Sequence, residues 1–406
     1  MGKPKIRFKG YEDDWEQRKW IDVVDISTEM VNPTTGEYDN MPHIAPGNIE
    51  SFTGRILDNV KTVKEEQLIS GKFRFRPDDV VYGKINPQLG KYFYATVNGL
   101  TSADAYVFNG KNGLKQKFLF ALLQTSDFFK YSVSVSKRSG MPKINRDELN
   151  AYSFLMPSEE EQDRIGSYLL QLDHLITLHQ RKCEETKSLK KYMLQKMFPE
   201  NGNCVPKIRF SGFADAWEQR KLSDIYASIG NAFVGTATPY YVESGHFYLE
   251  SNNIKDGQIN HNSEIFINDE FYEKQKDKWL HTGDMVMVQS GHVGHAAVIP
   301  EELDNSAAHA LIMFRHPKEK IEPYFLNYQY QTNKSKKKIE EITTGNTIKH
   351  ILASDMQEFV VDITNYDEQK KIGSYFQKLD HLITLHQHKC DELQKLKKFM
   401  LQNMFV

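Results

Sequence analysis

Two long segments of the chain carry mostly apolar residues spaced alternately four and three positions apart. In the first segment these positions are Ile165, Leu169, Leu172, Ile176, His179, Cys183, Thr186, Lys190, Met193 and Met197; in the second they are Ile372, Phe376, Leu379, Ile383, His386, Cys390, Leu393, Lys397, Met400 and Met404. Spacing of this kind over roughly four or more heptads is typical of a coiled-coil seam. The pattern therefore predicts two long helices that pair with each other along these positions.

The residues around the first segment indicate where its helix begins. Pro157 and Ser158 supply a stop and an N-cap, and three glutamates at 159–161 follow in the first turn, where the helix dipole favours acidic side chains. Lysines populate the C-terminal half of the segment, as the same dipole prefers. At 1.5 Å per residue, a helix of about 38 residues is about 57 Å long.

Polar side chains occupy several positions of the predicted seam, namely His179, Lys190, His386 and Lys397. Polar groups at seam positions fix the register of paired helices at some cost in stability. A metal site is the alternative, because His386, His388 and Cys390 are close in sequence. Residues two positions apart face different sides of a helix, so we expect these side chains to set the register instead.

The chain is a tandem duplication of about 200 residues per copy. The repeated strings are PKIRF at 4–8 and 206–210, WEQRK at 15–19 and 217–221, LDHLITLHQ at 172–180 and 379–387, and the endings LQKMF at 194–198 and LQNMF at 401–405. The two copies are offset by 202 residues at their start and by 207 residues in the helices. Since a chance identity of nine consecutive residues is negligible, the duplication is secure.

Between these shared ends the two copies have diverged. Residues 20–155 and their counterparts near 222–362 keep only scattered similarities, such as Asp79 with Asp284. Two like scaffolds on constant connectors favour two readers of different targets; drift after duplication and a simple dimerisation stalk are the alternatives. If a pseudo-two-fold axis relates the copies, the helices pair antiparallel and hold the two domains at opposite ends of a rod. Readers about 34–36 Å apart would meet the same face of B-DNA.

Each diverged middle mixes short strands and helices. Predicted strands lie at Val80–Ile85, Tyr92–Val97 and Ala105–Phe108 with a helix at Lys115–Lys130 in the first copy, and at Asp284–Gln289, Ala296–Ile299 and Leu311–Phe314 with a helix near Glu322–Gln331 in the second. The fold class is α+β, with two tandem mixed α/β domains that are each followed by a long helix. The predicted boundaries are 1–157 and 207–364 for the domains, 158–199 and 365–406 for the helices, and 200–206 for a linker.

Polar and basic residues collect in loops at corresponding places in the two copies. The candidates for DNA contact are Tyr82, Lys84, Asn86, Gln88, Lys91, Lys137, Arg138 and Ser139 in the first copy, and Gln289, Ser290, His292, His295, Lys336, Lys337, Thr344, Asn346, Thr347 and Lys349 in the second. Asn, Gln, Arg and Lys can make bidentate contacts to base edges, whereas Ser and Thr hold phosphates. One such loop is more often a solvated turn, but recurrence in both copies favours DNA contact. We expect His292 and His295 to be loop residues and not metal ligands.

Composition and charge bear only partly on this interpretation. Apolar residues make up 39% of the 406 residues and charged residues 26%, which is ordinary for a folded protein. The formal net charge of −2 counts against a nucleic-acid binder. However, a few clustered lysines and arginines suffice for phosphate contact, so local charge matters more than the total.

The sequence also indicates a compartment. Three cysteines, none in a Cys-x-x-Cys pair, favour a reducing environment. The N-terminal residues contain no apolar signal-peptide region, and no run approaches the roughly 18 apolar residues that a membrane span needs. We therefore expect a cytoplasmic protein that has no membrane partner.

The sequence motifs of DNA-acting enzymes are missing. Gly90-Lys91 is followed by Tyr92 in place of the Ser or Thr of a Walker A motif. No Gly-x-Gly-x-x-Gly follows a strand, and the tetrapeptide Asn/Asp-Pro-Pro-aromatic of amino-methyltransferases has only Asn86-Pro87-Gln88 as a near miss. Zinc-ligand spacing is absent as well. We predict a binding protein with no catalytic residues and with no metal or cofactor of its own.

The shared strings resemble the specificity subunit of type I restriction-modification systems. The residues that carry the resemblance are WEQRK at Trp15 and Trp217, the strands Asp79-Val-Val-Tyr-Gly-Lys and Asp284-Met-Val-Met-Val-Gln, and the helix starts Glu160-Glu161-Gln162 and Asp367-Glu368-Gln369. The resemblance covers essentially the whole chain. The layout of two readers and two helices is more specific than any single motif.

The resemblance implies two target recognition domains that each read one half of a split, asymmetric site in double-stranded DNA. It implies that the helices space these domains and dock two modification subunits, which bring S-adenosylmethionine and methylate adenine. Restriction subunits that use ATP and Mg for translocation and cleavage complete the implied complex. Two other interpretations stay open, namely a self-contained methyltransferase or nuclease and a structural adaptor that binds protein partners.

Overall fold

The computed structural model describes residues 2–137, 140–200, 202–345 and 349–406 of the chain. The chain divides into two compact units. Unit 1 consists of Met1–Lys182 and His386–Val406, and unit 2 consists of Cys183–Leu385. Each unit therefore combines one diverged domain with segments of both long helices.

Unit 1 contains short helices and strands in its domain and ends in a long helix. Its helices are α1 (Trp20–Val23), α2 (Gln116–Leu122), α3 (Ser126–Val135), α4 (Arg146–Asn150), the part of α5 (Glu159–Lys196) up to Lys182, and the part of the second long helix, α11 (Tyr366–Asn403), from His386 onward. Its strands are β1 (Glu16–Lys19), β2 (Val24–Ile26), β3 (Met30–Val31), β4 (Pro42–His43), β5 (Lys61–Thr62), β6 (Lys72–Phe75), β7 (Val80–Gly83), β8 (Tyr92–Tyr94), β9 (Gly99–Thr101), β10 (Ala105–Gly110) and β11 (Ser153–Met156). Short 3-10 turns lie at Pro33–Thr35, Pro46–Asn48 and Pro87–Leu89.

Three sheets build the domain of unit 1, in the strand orders β2-β10-β7-β8, β3-β6-β9-β4-β5 and β1-β11. Every residue of β7 is buried, because this apolar strand lies between β10 and β8. Trp20 anchors the main core: its ring stacks on Phe128 at 5.6 Å and meets the edge of Phe108 at 5.0 Å between centroids. Val80 and Tyr82 of β7 lie in this core with α2, whereas Val81 and Val107 face the other side of the sheet and belong to a second cluster.

Unit 2 repeats this plan with its own elements. Its helices are the part of α5 from Cys183 onward, α6 (Leu222–Ile225), α7 (Asp269–Glu273), α8 (Pro323–Tyr330), α9 (Asn333–Ile342), α10 (Ala353–Gln357) and the part of α11 (Tyr366–Asn403) up to Leu385. Its strands are β12 (Glu218–Lys221), β13 (Tyr226–Asn231), β14 (Tyr241–Val242), β15 (His246–Leu249), β16 (Ile254–Lys255), β17 (Gln258–Ile259), β18 (Phe266–Ile267), β19 (Met285–Val288), β20 (Ala296–Val298), β21 (Ala307–Ala308), β22 (Leu311–Pro317) and β23 (Val360–Ile363). The 3-10 turns lie at Thr238–Tyr240, Ser251–Asn253, Lys276–Lys278 and Glu301–Leu303.

The main sheet and one two-stranded sheet of unit 2 correspond to sheets of unit 1, whereas the others differ in strand number. The main sheet has the order β13-β22-β19-β20, and β12 pairs with β23 as β1 pairs with β11. The remaining sheets have the orders β14-β18-β15-β21 and β16-β17. Strand β19 is buried along its whole length between β22 and β20, as β7 is in unit 1. The α+β class and the two tandem domains are therefore confirmed.

Two local predictions are wrong. The helix predicted at Lys115–Lys130 is two helices, α2 and α3, because the chain turns at Thr125, whose hydroxyl caps α3 by accepting from the N–H of Phe128 at 3.3 Å. The lysine run at 334–338, predicted as a loop, lies in α9. The hydroxyl of its N-cap, Thr332, accepts from the N–H of Ser335 at 3.2 Å. A helix starts there because this cap satisfies a free N–H of the first turn.

The repeated string PKIRF ties the start of each copy to its long helix. Arg7 donates to both carboxylate oxygens of Glu161, at 2.7 and 2.8 Å, and Arg209 contacts Glu368 in the same way at 2.6 and 2.8 Å. Both glutamate side chains are fully buried. A buried carboxylate needs such a bidentate partner, so the arginine and the glutamate occur together in both copies.

The glutamine after each of these glutamates links the helix start to the domain. Gln162 accepts from the N–H of Lys115 at 3.0 Å and donates to the carbonyl of Gly113 at 3.1 Å. Gln369 likewise accepts from the N–H of Glu322 at 3.0 Å. The acidic-Gln motif is thus a fixed joint between each long helix and the segment before α2 or α8.

The ends of the two copies are exchanged within the units. In unit 1, Trp15 packs against Phe118 and against Phe405 from the end of the second copy, with ring centroids 5.9 and 6.1 Å away. In unit 2, Trp217 packs in the same manner against Phe325, at 5.4 Å, and Phe198 from the end of the first copy, at 5.9 Å. The strings WEQRK and LQxMF are therefore shared because each unit needs both.

Within each unit the segments of α5 and α11 run antiparallel. In unit 1, Asp173 pairs with Lys397 while His179, further along α5, meets the earlier residue His386, with their Nδ1 atoms 3.0 Å apart. In unit 2, Lys190 pairs with Asp380 at 2.7 Å and the thiol of Cys183 faces the carbonyl of Ile383. Antiparallel pairing agrees with the prediction; the pseudo-two-fold axis stays a prediction.

The predicted seam positions are largely buried. Leu169, Leu172, Ile176, Phe376 and Leu379 lie in the cores of their units. Ile383, His179 and His386 are half-buried. Burial lowers the pKa of His179, and the neighbouring ring of His386 acts in the same direction. The seam histidines thus contact each other across the helix pair and the seam lysines pair with aspartates of the opposite helix, as expected of residues that set its register.

Candidate nucleic-acid interface

In unit 1 the loop after β7 lies beside the segment that follows α3. Ile85 forms a bridge with Lys143, the N–H of Asn86 donates to the carbonyl of Pro142 at 2.8 Å, and the N–H of Ile144 donates to that of Lys84 at 3.0 Å. Asn86 and Gly90 take left-handed backbone conformations that turn this loop. The structure therefore places the predicted loop after β7 beside residues 142–144, which follow the predicted contact residues Lys137, Arg138 and Ser139 in the chain.

This surface carries clustered positive charge. Burial lowers the pKa of Lys84, and the charges of Lys143 and Arg146 act in the same direction while Asp104 opposes them. The guanidinium of Arg146 is fixed by the carbonyls of Ile26 and Ser27 at 2.9 and 3.0 Å. Like charges this close together attract an anion such as a phosphate.

Some predicted residues of unit 1 have other roles. The side chain of Tyr82 is 2% exposed and stacks on Phe108 in the core, so its assignment to DNA contact is wrong: a buried ring cannot reach a base. The ammonium of Lys91 donates to the carbonyl of Ile49 and supports the loop from within. Gln88 and Lys137 are exposed, as contact would require. Arg138 and Ser139 lie outside the described residues.

In unit 2 the corresponding loops also meet. Ser290 forms a bridge with His350, whose ring nitrogens lie 2.6 Å from the hydroxyl of Ser290 and 3.1 Å from the amide of Gln289. The N–H of Gly291 donates to the carbonyl of Lys349 at 3.1 Å. Because the amide of Gln289 is buried and held by His350, this side chain positions the loop. Thr344 exchanges backbone hydrogen bonds with His350.

Four predicted residues of unit 2 line one cleft of about 410 Å³, namely His292, His295, Lys336 and Lys349. The N–H of Asp256 donates to Nδ1 of His295 at 3.2 Å, so the neutral ring carries its proton on Nε2. Burial lowers the pKa of His295; Asp256 opposes this, and His292 and Lys336 add to it. His295 is therefore a neutral donor near pH 7, in a cleft where Asp256 and Glu340 balance the charges of Lys336 and Lys349.

The sequence prediction missed three residues of these surfaces, namely Lys143, Arg146 and His350. Lys143 and His350 occupy equivalent positions, 207 residues apart, and form the equivalent bridges to Ile85 and Ser290. Their alignment across the duplication is the signal that could have found them. Lys337 is exposed on α9, whereas Asn346 and Thr347 lie outside the described residues.

Each unit also presents apolar side chains of a long helix to solvent. Leu396 is 37% and Phe399 51% exposed in unit 1, and Leu189 is 44% and Tyr192 54% exposed in unit 2. The two pairs are equivalent in the duplication, again 207 residues apart. Within the ranges that the structure covers, no three His, Cys, Asp or Glu side chains are grouped to hold a metal ion, and no helix has the length and apolarity to cross a bilayer.

Comparisons with known proteins match both copies. Residues 12–188 and 214–395 fit the model of the type I restriction modification DNA specificity domain. The type I restriction enzyme EcoDI specificity subunit of Escherichia coli is 32% identical over 160 residues, which cover 39% of this chain and only 35% of that relative. A putative type I restriction enzyme MjaX specificity subunit of Methanocaldococcus jannaschii is 23% identical over 410 residues, with 95% of this chain and 91% of the relative covered.

A solved structure shares the fold along the whole chain. The crystal structure of the S subunit of a type I restriction-modification system from M. genitalium has a TM-score of 0.68 at 14% identity, and the match covers 99% of each chain. At this identity the likeness concerns the fold alone.

Proposed function

Because the chain belongs to the family of type I restriction-modification specificity subunits, we propose that each of its two units reads one half of a split, asymmetric DNA site. The observation that carries this proposal is the recurrence of one loop arrangement in both units. The loop after β7 or β19 is bridged to the segment after α3 or α9 at equivalent positions. The residues at these positions differ between the units, as two readers of different half-sites require.

Different contacts are proposed for the two units. In unit 1, Lys84, Asn86, Gln88 and Lys137 contact DNA beside Lys143. In unit 2, the proposed contacts to DNA are Ser290, Lys337 and the cleft residues His292, His295, Lys336 and Lys349. Amide and lysine groups read base edges in the major groove, while lysine and backbone N–H groups also hold phosphates. The net charge of −2 is compatible with this role because Lys84, Lys143 and Arg146 cluster their positive charges in unit 1.

The helices set the spacing of the two half-sites and dock two modification subunits. The exposed pair Leu396 and Phe399 in unit 1 has its equivalent, Leu189 and Tyr192, in unit 2, which supports two copies of one partner. The chain itself performs no catalysis in this proposal. S-adenosylmethionine belongs to the modification subunits, and ATP and Mg to the restriction subunits, which together methylate adenine or cleave DNA.

Exchange of one domain tests this proposal. Residues 20–155 are replaced by those of another family member, the chain is expressed with its partner subunits, and methylated adenines are mapped genome-wide. We expect one half of the methylated site to change and the other half to stay. The matched exchange of residues 222–362 is expected to change only the other half.

An unchanged methylation pattern after both exchanges would refute sequence reading and favour a structural adaptor. Methyl transfer by the purified chain alone would instead identify an enzyme. A strain without the gene is expected to lose methylation at the site altogether, which assigns the site to this chain.

A further inference from the structure

Each unit contains a groove between its diverged domain and the long helices, and we propose that both grooves hold the DNA backbone through side chains of the helices. The groove of unit 1 has a volume of about 710 Å³, and that of unit 2 about 400 Å³. This inference rests on the proposed function. It goes beyond it because the helices then contribute directly to DNA affinity.

The helix residues that line the two grooves are equivalent. They are Gln394, Lys398 and Gln402 on α11 in unit 1, and Lys187, Lys191 and Gln195 on α5 in unit 2. Each residue lies 207 positions from its equivalent. These residues come from the helix of the other copy, while the copy's own helix adds Asp173, Ile176 and Thr177 in unit 1 and Asp380, Ile383 and Thr384 in unit 2. Lys398 and Gln402 recur as Lys191 and Gln195 beside two domains that have diverged from each other, whereas Gln394 is replaced by Lys187.

The charge of these groove walls is positive. The acids on the helix side of each groove are already neutralised, since Asp173 pairs with Lys397 in unit 1 and Asp380 pairs with Lys190 in unit 2. Lys398 and Lys191 follow those paired lysines and are exposed. Exposed ammonium groups with amide donors beside them suit phosphate oxygens, to which most protein–DNA hydrogen bonds go.

Both grooves continue from the surfaces proposed to read DNA. In unit 1, Pro87 and Gly90 of the loop after β7 line the groove. In unit 2, Asp256, Gln331 and Lys336 line both the groove and the cleft of His292 and His295. A strand held at either loop therefore meets the helix lysines when it extends into the groove. This continuity favours DNA over a protein segment as the occupant.

The test uses the full chain assembled with its modification subunits. Lys191→Ala and Lys398→Ala are compared with the parent complex by measuring binding to a duplex with the methylated site and to an unrelated duplex over a range of salt concentrations. For each lysine that contacts a phosphate, the slope of log K against log salt becomes shallower by about 0.9. Affinity for the two duplexes is expected to fall by the same factor, and the methylated sequence to stay unchanged.

Lys395→Ala is the matched control, because Lys395 is exposed on α11 but lies outside the groove lining. It is expected to leave the salt slope as it is. Unchanged slopes in the groove variants would overturn the inference, as would a changed methylated sequence, which would mean base reading. Impaired assembly with unchanged DNA binding by the assembled fraction would also overturn it and assign the groove to a protein partner. Equal binding of both duplexes by the parent complex would instead refute the proposed function.

Discussion

Asp173 and Asp380 occupy the same position in the two copies but have different neighbours. The hydroxyl of Tyr328 donates to Oδ2 of Asp380 at 2.8 Å. The equivalent of Tyr328 in the first copy is Ala121, and Oδ2 of Asp173 has no hydrogen-bond partner among the described residues. Burial raises the pKa of Asp173, although Lys397 beside it opposes the rise. One substitution thus gives the two equivalent ion pairs different surroundings.

Tyr328→Phe is expected to destabilise unit 2. The variant removes the donor from a buried carboxylate oxygen, which costs about 1–3 kcal/mol of unfolding free energy. Urea denaturation of the full chain measures the change. Tyr330→Phe is the matched control, because the hydroxyl of Tyr330 is buried with no partner in the described ranges. Removal of the Tyr330 hydroxyl is expected to leave the free energy of unfolding unchanged or higher than in the parent chain. An equal loss of unfolding free energy in both variants would contradict this account.

At the scale of elements, the long helices are joined to their domains by close backbone contact as well as by hydrogen bonds. Gly166 of α5 lies against α2, and a Cβ atom there would approach the backbone of Lys117 to 2.6 Å and of Phe118 to 2.7 Å. The equivalent Gly373 of α11 has more room, since its Cβ would meet the side chain of Glu322 at 3.2 Å. Within the shared string IGSY, close backbone packing therefore requires the glycine in the first copy, at Gly166, but not in the second, at Gly373.

Gly166→Ala and Gly373→Ala are expected to differ in sign. Alanine favours a helix interior over glycine by about 1 kcal/mol, but overpacking against rigid backbone costs about 1–3 kcal/mol. The first variant is expected to unfold at lower urea concentration than the parent chain. The second is expected to be at least as stable as the parent, because a glutamate side chain can move. Equal destabilisation of both variants would show that the contact at Gly166 is not the cause.

At the scale of the whole molecule, each unit is completed by the end of the other copy. Phe405 packs on Phe118 at 5.2 Å in unit 1, and Phe198 packs on Phe325 at 5.4 Å in unit 2. The first residues of each copy join the same ends: the N–H of Ile6 donates to the carbonyl of Asn403 at 2.9 Å, and that of Ile208 to Lys196 at 2.8 Å. Neither copy alone contains all the residues of one unit.

Phe405→Ala and Phe198→Ala are expected to weaken opposite units. Truncation of a buried Phe costs about 3–5 kcal/mol, and the cost is expected to be lower for the half-buried Phe405. Hydrogen exchange measured by mass spectrometry checks where the effect falls. Phe405→Ala is expected to speed exchange in β1 and β11, and Phe198→Ala in β12 and β23. If Phe198→Ala instead sped exchange only in β1 and β11, the strands of its own copy, the exchange of ends between the two units would be contradicted.

The sequence could predict the central strands of both domains but only part of the candidate interface. Strands such as β7 and β19 are continuous apolar runs, so composition reveals them. Tyr82 ends the apolar run of β7, but its burial depends on Phe108 of β10 and Phe128 of α3 packing against its ring, which the run itself does not encode. The cleft of His292 and Lys336 joins residues of a loop and of a helix, and no local spacing encodes that contact.

By itself, the sequence determined the duplication, the two long helices, the polar seam residues and the family. All of these are local patterns or repeated strings. They can be recognised in the sequence alone because backbone geometry fixes the helix and strand periods. Only the tertiary structure decided which groups meet: Arg7 with Glu161, His179 with His386, Phe405 with Trp15, and Tyr328 with Asp380. These partners are separated by 52 to 390 residues, so packing of complementary surfaces, and not sequence spacing, brings them together.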